Sequence, residues 1–167
     1  MKMKRNTHGF TLIEVMIAML VMSLGMLGIA STLITAVRSA SSNYLKQQAV
    51  QYTYDIADRM RSNFILAKDP TAANPYITAL SAPAAAAAKD CTAAVCSTAE
   101  MAAYDVWQWK STLNNNLPGG LGSITVAAGP LSGTDLVTVV VQWSDQPAQS
   151  TFKQAVAPNT YTVVTEL

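Results

Sequence analysis

The chain has 167 residues; half are apolar, only 13% are charged, and the formal charge is +1. That length suits one ordinary domain with some chain left over for an extended element. A near-neutral balance excludes a surface built to coat nucleic acid. One histidine and two cysteines give no cluster spaced for a metal, and carboxylates and hydroxyls stand apart without an obvious base, so neither catalytic residues nor a cofactor are expected.

The charge is unevenly placed. Lys2, Lys4 and Arg5 all precede Gly9, and residues 10–37 then run for 28 positions with one formal charge, Glu14. As a helix this run would extend about 42 Å, enough to cross a bilayer. The basic cluster before it keeps the N-terminus in the cytoplasm and sends the rest outward. Removing residues 1–9 would leave 8 basic against 10 acidic residues, about −2. Met16, Met19, Met22 and Met26 recur at helical spacing and suit packing against lipid and other helices. Gly25 and Gly28 leave a small-residue notch. Glu14 is the informative residue, because a carboxylate in lipid costs a few kcal/mol and needs a reason. It can reach the interface, or it can pair with a positive group inside an assembly. A cut after Gly9 would give Phe10 a free ammonium one helical turn away, available to Glu14 of the same chain or of a neighbour. Gly28-Ile29-Ala30 offers a competing small-x-small secretory cleavage site, which would leave Glu14 unexplained.

Leu45, Ala49, Tyr52, Ile56 and Met60 continue an apolar helical face, and Asp55 and Arg59 form a favourable i,i+4 pair. Without a proline before Pro70, one helix is expected from about residue 10 to residue 63, roughly 80 Å. Residues 64–97, with Pro70, Pro75, Pro83 and the alanine run 84–88, read as linker-like. Cys91 and Cys96 lie on the outward side, where a disulfide is favoured over free thiols; it would be a local staple of roughly 2 kcal/mol.

Ser97 and Glu100 match a capping box and start a second helix, with Met101, Tyr104, Trp107 and Leu113 expected on its buried face and Pro118-Gly119-Gly120 at its end. Three strands are expected over residues 123–128, 136–143 and 160–166, the second with Val137, Val139, Val141 and Trp143 on one face. Gly129-Pro130 and Ser132-Gly133 mark the turn between the first two. The expected fold is α+β: a small antiparallel sheet laid on the second half of a long N-terminal helix.

The string Lys4-Arg5 … Gly9-Phe10-Thr11-Leu12-Ile13-Glu14, followed by the apolar run, resembles the type III signal of type IV prepilins and pseudopilins. Residues 55–63 (DIADRMRSN), 104–120 (YDVWQWKSTLNNNLPGG) and the valine-rich strand ending at Trp143 are similar to the PilV type of minor pilin. The absence of a proline in the long helix and the mid-chain cysteines depart from the major-pilin pattern. The resemblance implies cleavage between Gly9 and Phe10 by a membrane aspartyl prepilin peptidase and N-methylation of Phe10. It divides the chain into a leader (1–9), a transmembrane or filament-core half-helix (10–37), its amphipathic continuation (38–63) and a periplasmic or extracellular head (64–167).

The implied function is that of a minor pilin priming a type IV pilus, at or near its tip. Its partners would be other minor and major pilins, the peptidase, the inner-membrane assembly platform and, before assembly, the membrane. An I-type minor pseudopilin of a type II secretion system fits the same residues. A tip adhesin or DNA-binding module is the alternative of another class. DNA is not expected as a partner, because Lys68, Lys89, Lys110 and Lys153 are scattered.

Overall fold

A computed structural model describes residues 9–71, 73–84, 86–130, 134–145 and 157–166. The basic cluster at Lys2, Lys4 and Arg5, the expected turn at Ser132-Gly133, and Lys153 lie outside them. The elements in chain order are α1 (Leu12–Ser62), α2 (Phe64–Ala67), β1 (Thr78–Ser81), α3 (Thr98–Asn116), β2 (Leu121–Ala128), β3 (Asp135–Trp143) and β4 (Asn159–Glu166). By packing, the chain separates into two units that meet between Ala40 and Ser41. α1 contributes residues to both.

The first unit is the apolar half of α1. It is long and apolar enough to cross a membrane, and none of its side chains is buried by the chain itself. Glu14 in the first turn and Arg59 and Arg61 in the last turn of α1 complement the helix dipole.

The second unit is built on a four-stranded antiparallel sheet in the order β1-β2-β3-β4. Strict alternation decides its faces. Val137, Val139, Val141 and Trp143 of β3 are all buried, as are Ile124 and Val126 of β2. They share one core with Ala49, Ile56 and Met60 of α1 and with Ala102, Val106, Trp109 and Leu113 of α3. The Trp109 indole N–H donates to the Tyr52 carbonyl at 2.9 Å, a fixed point between α3 and α1. Trp109 approaches β2 so closely that a Cβ at Gly122 would lie 2.4 Å from its ring. Gly122 is therefore a glycine by packing. Gly119, at φ +63°, makes the turn after α3 in the left-handed region.

Three expectations need correction. Residues 64–97 are not simply a linker: α2 and the edge strand β1 lie there, and Tyr76 between them is fully buried. The sheet therefore has four strands, not three. The buried face of α3 is also rotated from the expected one. Met101 is exposed, Tyr104 and Trp107 are half-buried, and the inner positions are Ala102, Asp105, Val106, Trp109, Lys110 and Leu113. The physical reason is that Asp105 and Lys110 find polar partners inside, so two charged residues occupy the core side. The long helix expected from about residue 10 to residue 63 is α1, which starts at Leu12, with Phe10 and Thr11 ahead of it, and ends at Ser62.

The capping box is present as expected. The Glu100 N–H donates to Ser97 Oγ at 3.3 Å, and the Ser97 N–H donates to Glu100 Oε2 at 2.7 Å. These two bonds satisfy amide donors that a helix start would otherwise leave orphaned.

Candidate assembly interface

The site begins with how α1 starts. Thr11 sits at the N-cap, and the Glu14 N–H meets its hydroxyl oxygen at 3.4 Å and its carbonyl oxygen at 3.1 Å. Thr11 and Glu14 are thus spaced as the first and last residues of a capping box. Here only the threonine half is made, and the Glu14 carboxylate has no partner among the described residues. Sequence reading singled out Glu14 and passed over Thr11, although the three-residue spacing is the available signal.

Gly9, Phe10 and Glu14 are all exposed, Phe10 at 84%. A Cβ at Gly9, Gly25 or Gly28 would meet nothing within 4 Å. The chain's own fold therefore does not demand glycine at these positions. Gly25 and Gly28 lie among exposed Leu24, Met26, Leu27 and Ile29. A surface of this kind is covered in the working state by lipid, by other subunits or by both in turn.

The second unit holds its own polar framework. Arg59 bridges to Asp55 at 3.1 Å, as expected, and also reaches Asp105 at 3.2 Å and Gln108 at 2.6 Å on α3. The Tyr76 hydroxyl donates to the other oxygen of Asp105 at 3.1 Å. Burial pushes the Tyr76 phenol up, and the Asp105 charge adds to the rise. Asp105 therefore ties α1, α3 and the segment before β1 together. Asn63 adds a bond from the end of α1 to the Thr98 carbonyl at 2.8 Å. Ser42 on α1 donates to the buried carboxylate of Asp145, just beyond β3.

Cys91 and Cys96 form a disulfide, with Cα atoms 5.6 Å apart. The loop they close is held at one end by Asp90, whose carboxylate accepts from the Thr92 amide and hydroxyl at 2.9 and 2.6 Å; these bonds pull its pKa down. Next to Asp90, Lys89 reaches across to Glu100 on α3 at 2.9 Å, tying the two sides of the loop together. Accepting from the Ser97 amide, from Lys89 and from the Ser97 hydroxyl holds Glu100 down to about 2.

The head lysines do not gather into a patch among the described residues. Lys89 pairs with Glu100, Lys68 lies over the Phe64 ring, and Lys110 is buried. Burial pushes the Lys110 pKa down, and its ammonium donates to the Ala79 carbonyl at 2.8 Å and Ser81 Oγ at 2.9 Å, fastening β1 to α3. No group of three or more potential metal ligands occurs among the described residues.

Comparison with known families gives two matches. Residues 4–30 match the prokaryotic N-terminal methylation motif, and residues 33–107 match the family of type IV pilin Tt1218. No curated protein and no solved structure matches the chain significantly. The two matches follow one another along the chain with only residues 31 and 32 between them, whereas β2, β3 and β4 lie beyond both. With the long apolar helix, the methylation motif across its start and the small antiparallel sheet, the chain is a type IV pilin-like protein.

Proposed function

We propose that the protein is a minor pilin that primes and joins a type IV pilus, positioned at or near the tip. The observation that carries this reading is the half of α1 that the chain leaves wholly uncovered, preceded by the processing motif and holding Glu14 without a partner among the described residues. In this reading the N-terminus starts in the cytoplasm and the head in the periplasm. A prepilin peptidase cuts between Gly9 and Phe10, and Phe10 is N-methylated. The new N-terminal cation and Glu14 then pair, within the chain or between neighbours. Such a pair is worth most where lipid or packed helices exclude water. The assembly platform then moves the helix from membrane to filament, where residues 15–37 pack against other pilins.

No bond chemistry follows processing, in keeping with a structural family and with ion pairs that hold Arg59 to Asp105 and Lys89 to Glu100. The minor assignment rests on the PilV-like residues 55–63 and 104–120 and on the mid-chain disulfide. The spread of the head lysines argues against a DNA-binding tip.

Mass spectrometry of the chain from membranes and from sheared filaments tests the pathway. A methylated Phe10 start is expected; a start at Ser31 would sink it in favour of ordinary secretion. Deleting the gene then separates the filaments: loss of pili is expected, whereas blocked exoprotein release with pili intact would identify a type II secretion pseudopilin instead.

A further inference from the structure

The two edges of the sheet are built differently. β1 is four residues long, and its pairing with β2 shifts register between Thr78 and Ser81. Lys110 occupies its Ala79 carbonyl, and Pro83 follows closely. Shortness, irregularity, a nearby lysine and a proline each blunt an edge against further pairing.

β4 is twice as long and regular, with Pro158 only ahead of its first residue and with Arg61 of α1 reaching the Thr165 hydroxyl at 3.3 Å and not the backbone. It pairs with β3 residue for residue from Asn159 to Glu166 without a bulge, and it holds no proline, lysine or arginine. No strand flanks its outer side among the described residues. Its core-facing row is also incomplete: Tyr161 and Val163 are only half-buried, whereas their β3 partners Val141 and Val139 are fully buried. An extended segment laid along β4 would meet backbone donors and acceptors that no strand among the described residues takes up, and would finish that row.

We infer that β4 is an interaction edge that accepts an extended strand from a different pilin-like subunit, with apolar residues at alternate positions to cover Tyr161 and Val163. The inference rests on the assembly reading above. A second copy of this chain does not fit: its β1 is blunted, and β4 paired with β4 closes on a two-fold axis, which ends growth where a filament must continue.

The test uses the full chain in cells that assemble the filament, with a photo-crosslinking side chain at exposed Val164 and, as control, at exposed Asn115 on α3. Adducts to another pilin-like subunit are expected from Val164 and not from Asn115. Successive strand residues point their N–H groups to opposite sides, so either Thr162→Pro or Val163→Pro removes an outward donor and leaves the β3 ladder intact. The variant that keeps the parent's thermal midpoint should lose adducts by roughly tenfold, the scale set by one or two lost backbone hydrogen bonds. Thr162→Lys, on the exposed row, should do the same if both prolines unfold the head. Adducts only to a second copy, equal adducts at Asn115, or undiminished adducts in a folded edge variant would overturn the inference. A chain not processed to Phe10 and never recovered with pilins defeats the functional reading itself. A processed chain recovered with pilins but lacking Val164 adducts defeats only the role of β4.

Discussion

Glu14 and Asp105 are both carboxylates at cost, and they illustrate two uses of one chemistry. Glu14 lies in an apolar helix with its side chain unpartnered among the described residues, so its value depends on what another molecule brings. Glu14→Ala should leave leader removal intact and lower the number of pili per cell. Immunoblots of the processed chain, together with filament counts by electron microscopy, check this; normal piliation would remove the case for charge pairing. Asp105 is spent internally. It is nearly buried and holds both Arg59 and Tyr76. Replacing it with alanine leaves Arg59 its bonds to Asp55 and Gln108 but takes the acceptor from the buried Tyr76 hydroxyl, which should cost about 1–3 kcal/mol. Urea unfolding of the processed chain in detergent, followed by tryptophan fluorescence, measures that loss; a change near zero would show the hub to be dispensable.

Among the elements, α3 carries a pH dependence whose sign is fixed by Glu100. Its folded pKa of about 2 lies below the usual 4.5. Its contribution is therefore fully present above about pH 4.5, declines below that and is lost as pH falls through about 2. Thermal midpoints measured between those values should fall with pH in the parent and fall less in Glu100→Gln; parallel curves would assign the acid sensitivity elsewhere. The start of α3 was legible because Ser97 and Glu100 form a local signal that needs no tertiary information. Its inward face was not, because apolar periodicity places charged residues outside, and only the fold supplies Arg59 and Tyr76 for Asp105 and the β1 backbone for Lys110. β3 was legible through its valine alternation. β1 was not: Thr-Ala-Leu-Ser is short, weak in β-branched residues and followed by a proline-alanine run, and it becomes a strand only because β2 offers an edge. At the processing end, Glu14 was legible as a lone charge in an apolar run, whereas Thr11 escaped because a hydroxyl there has no composition contrast.

At the scale of the molecule, the two units answer to different solvents. The unit from Ser41 onward has a closed core shared by α1, α3 and the sheet. The first forty residues bury nothing of their own apolar surface among the described residues. A chain starting at Ser41 should therefore be soluble without detergent, monomeric at micromolar concentration and cooperative in thermal unfolding. Sedimentation and circular dichroism check this; aggregation or a broad transition would mean that the core needs the apolar half-helix.

The threonine cap at the start of α1 has one more consequence. A peptidase needs its substrate bond in extended chain, and a helix hides that bond inside a ladder of hydrogen bonds. By stopping the helix at Leu12, Thr11 leaves the Gly9–Phe10 bond on open, solvent-facing backbone, two residues outside the cylinder. A Cβ at Gly9 would meet nothing within 4 Å among the described residues, so on the proposed processing a need for glycine there would lie with the enzyme that closes around the bond. On the processing proposed above, the six letters from Gly9 to Glu14 are thus also a folding instruction, because Thr11 among them sets where α1 begins.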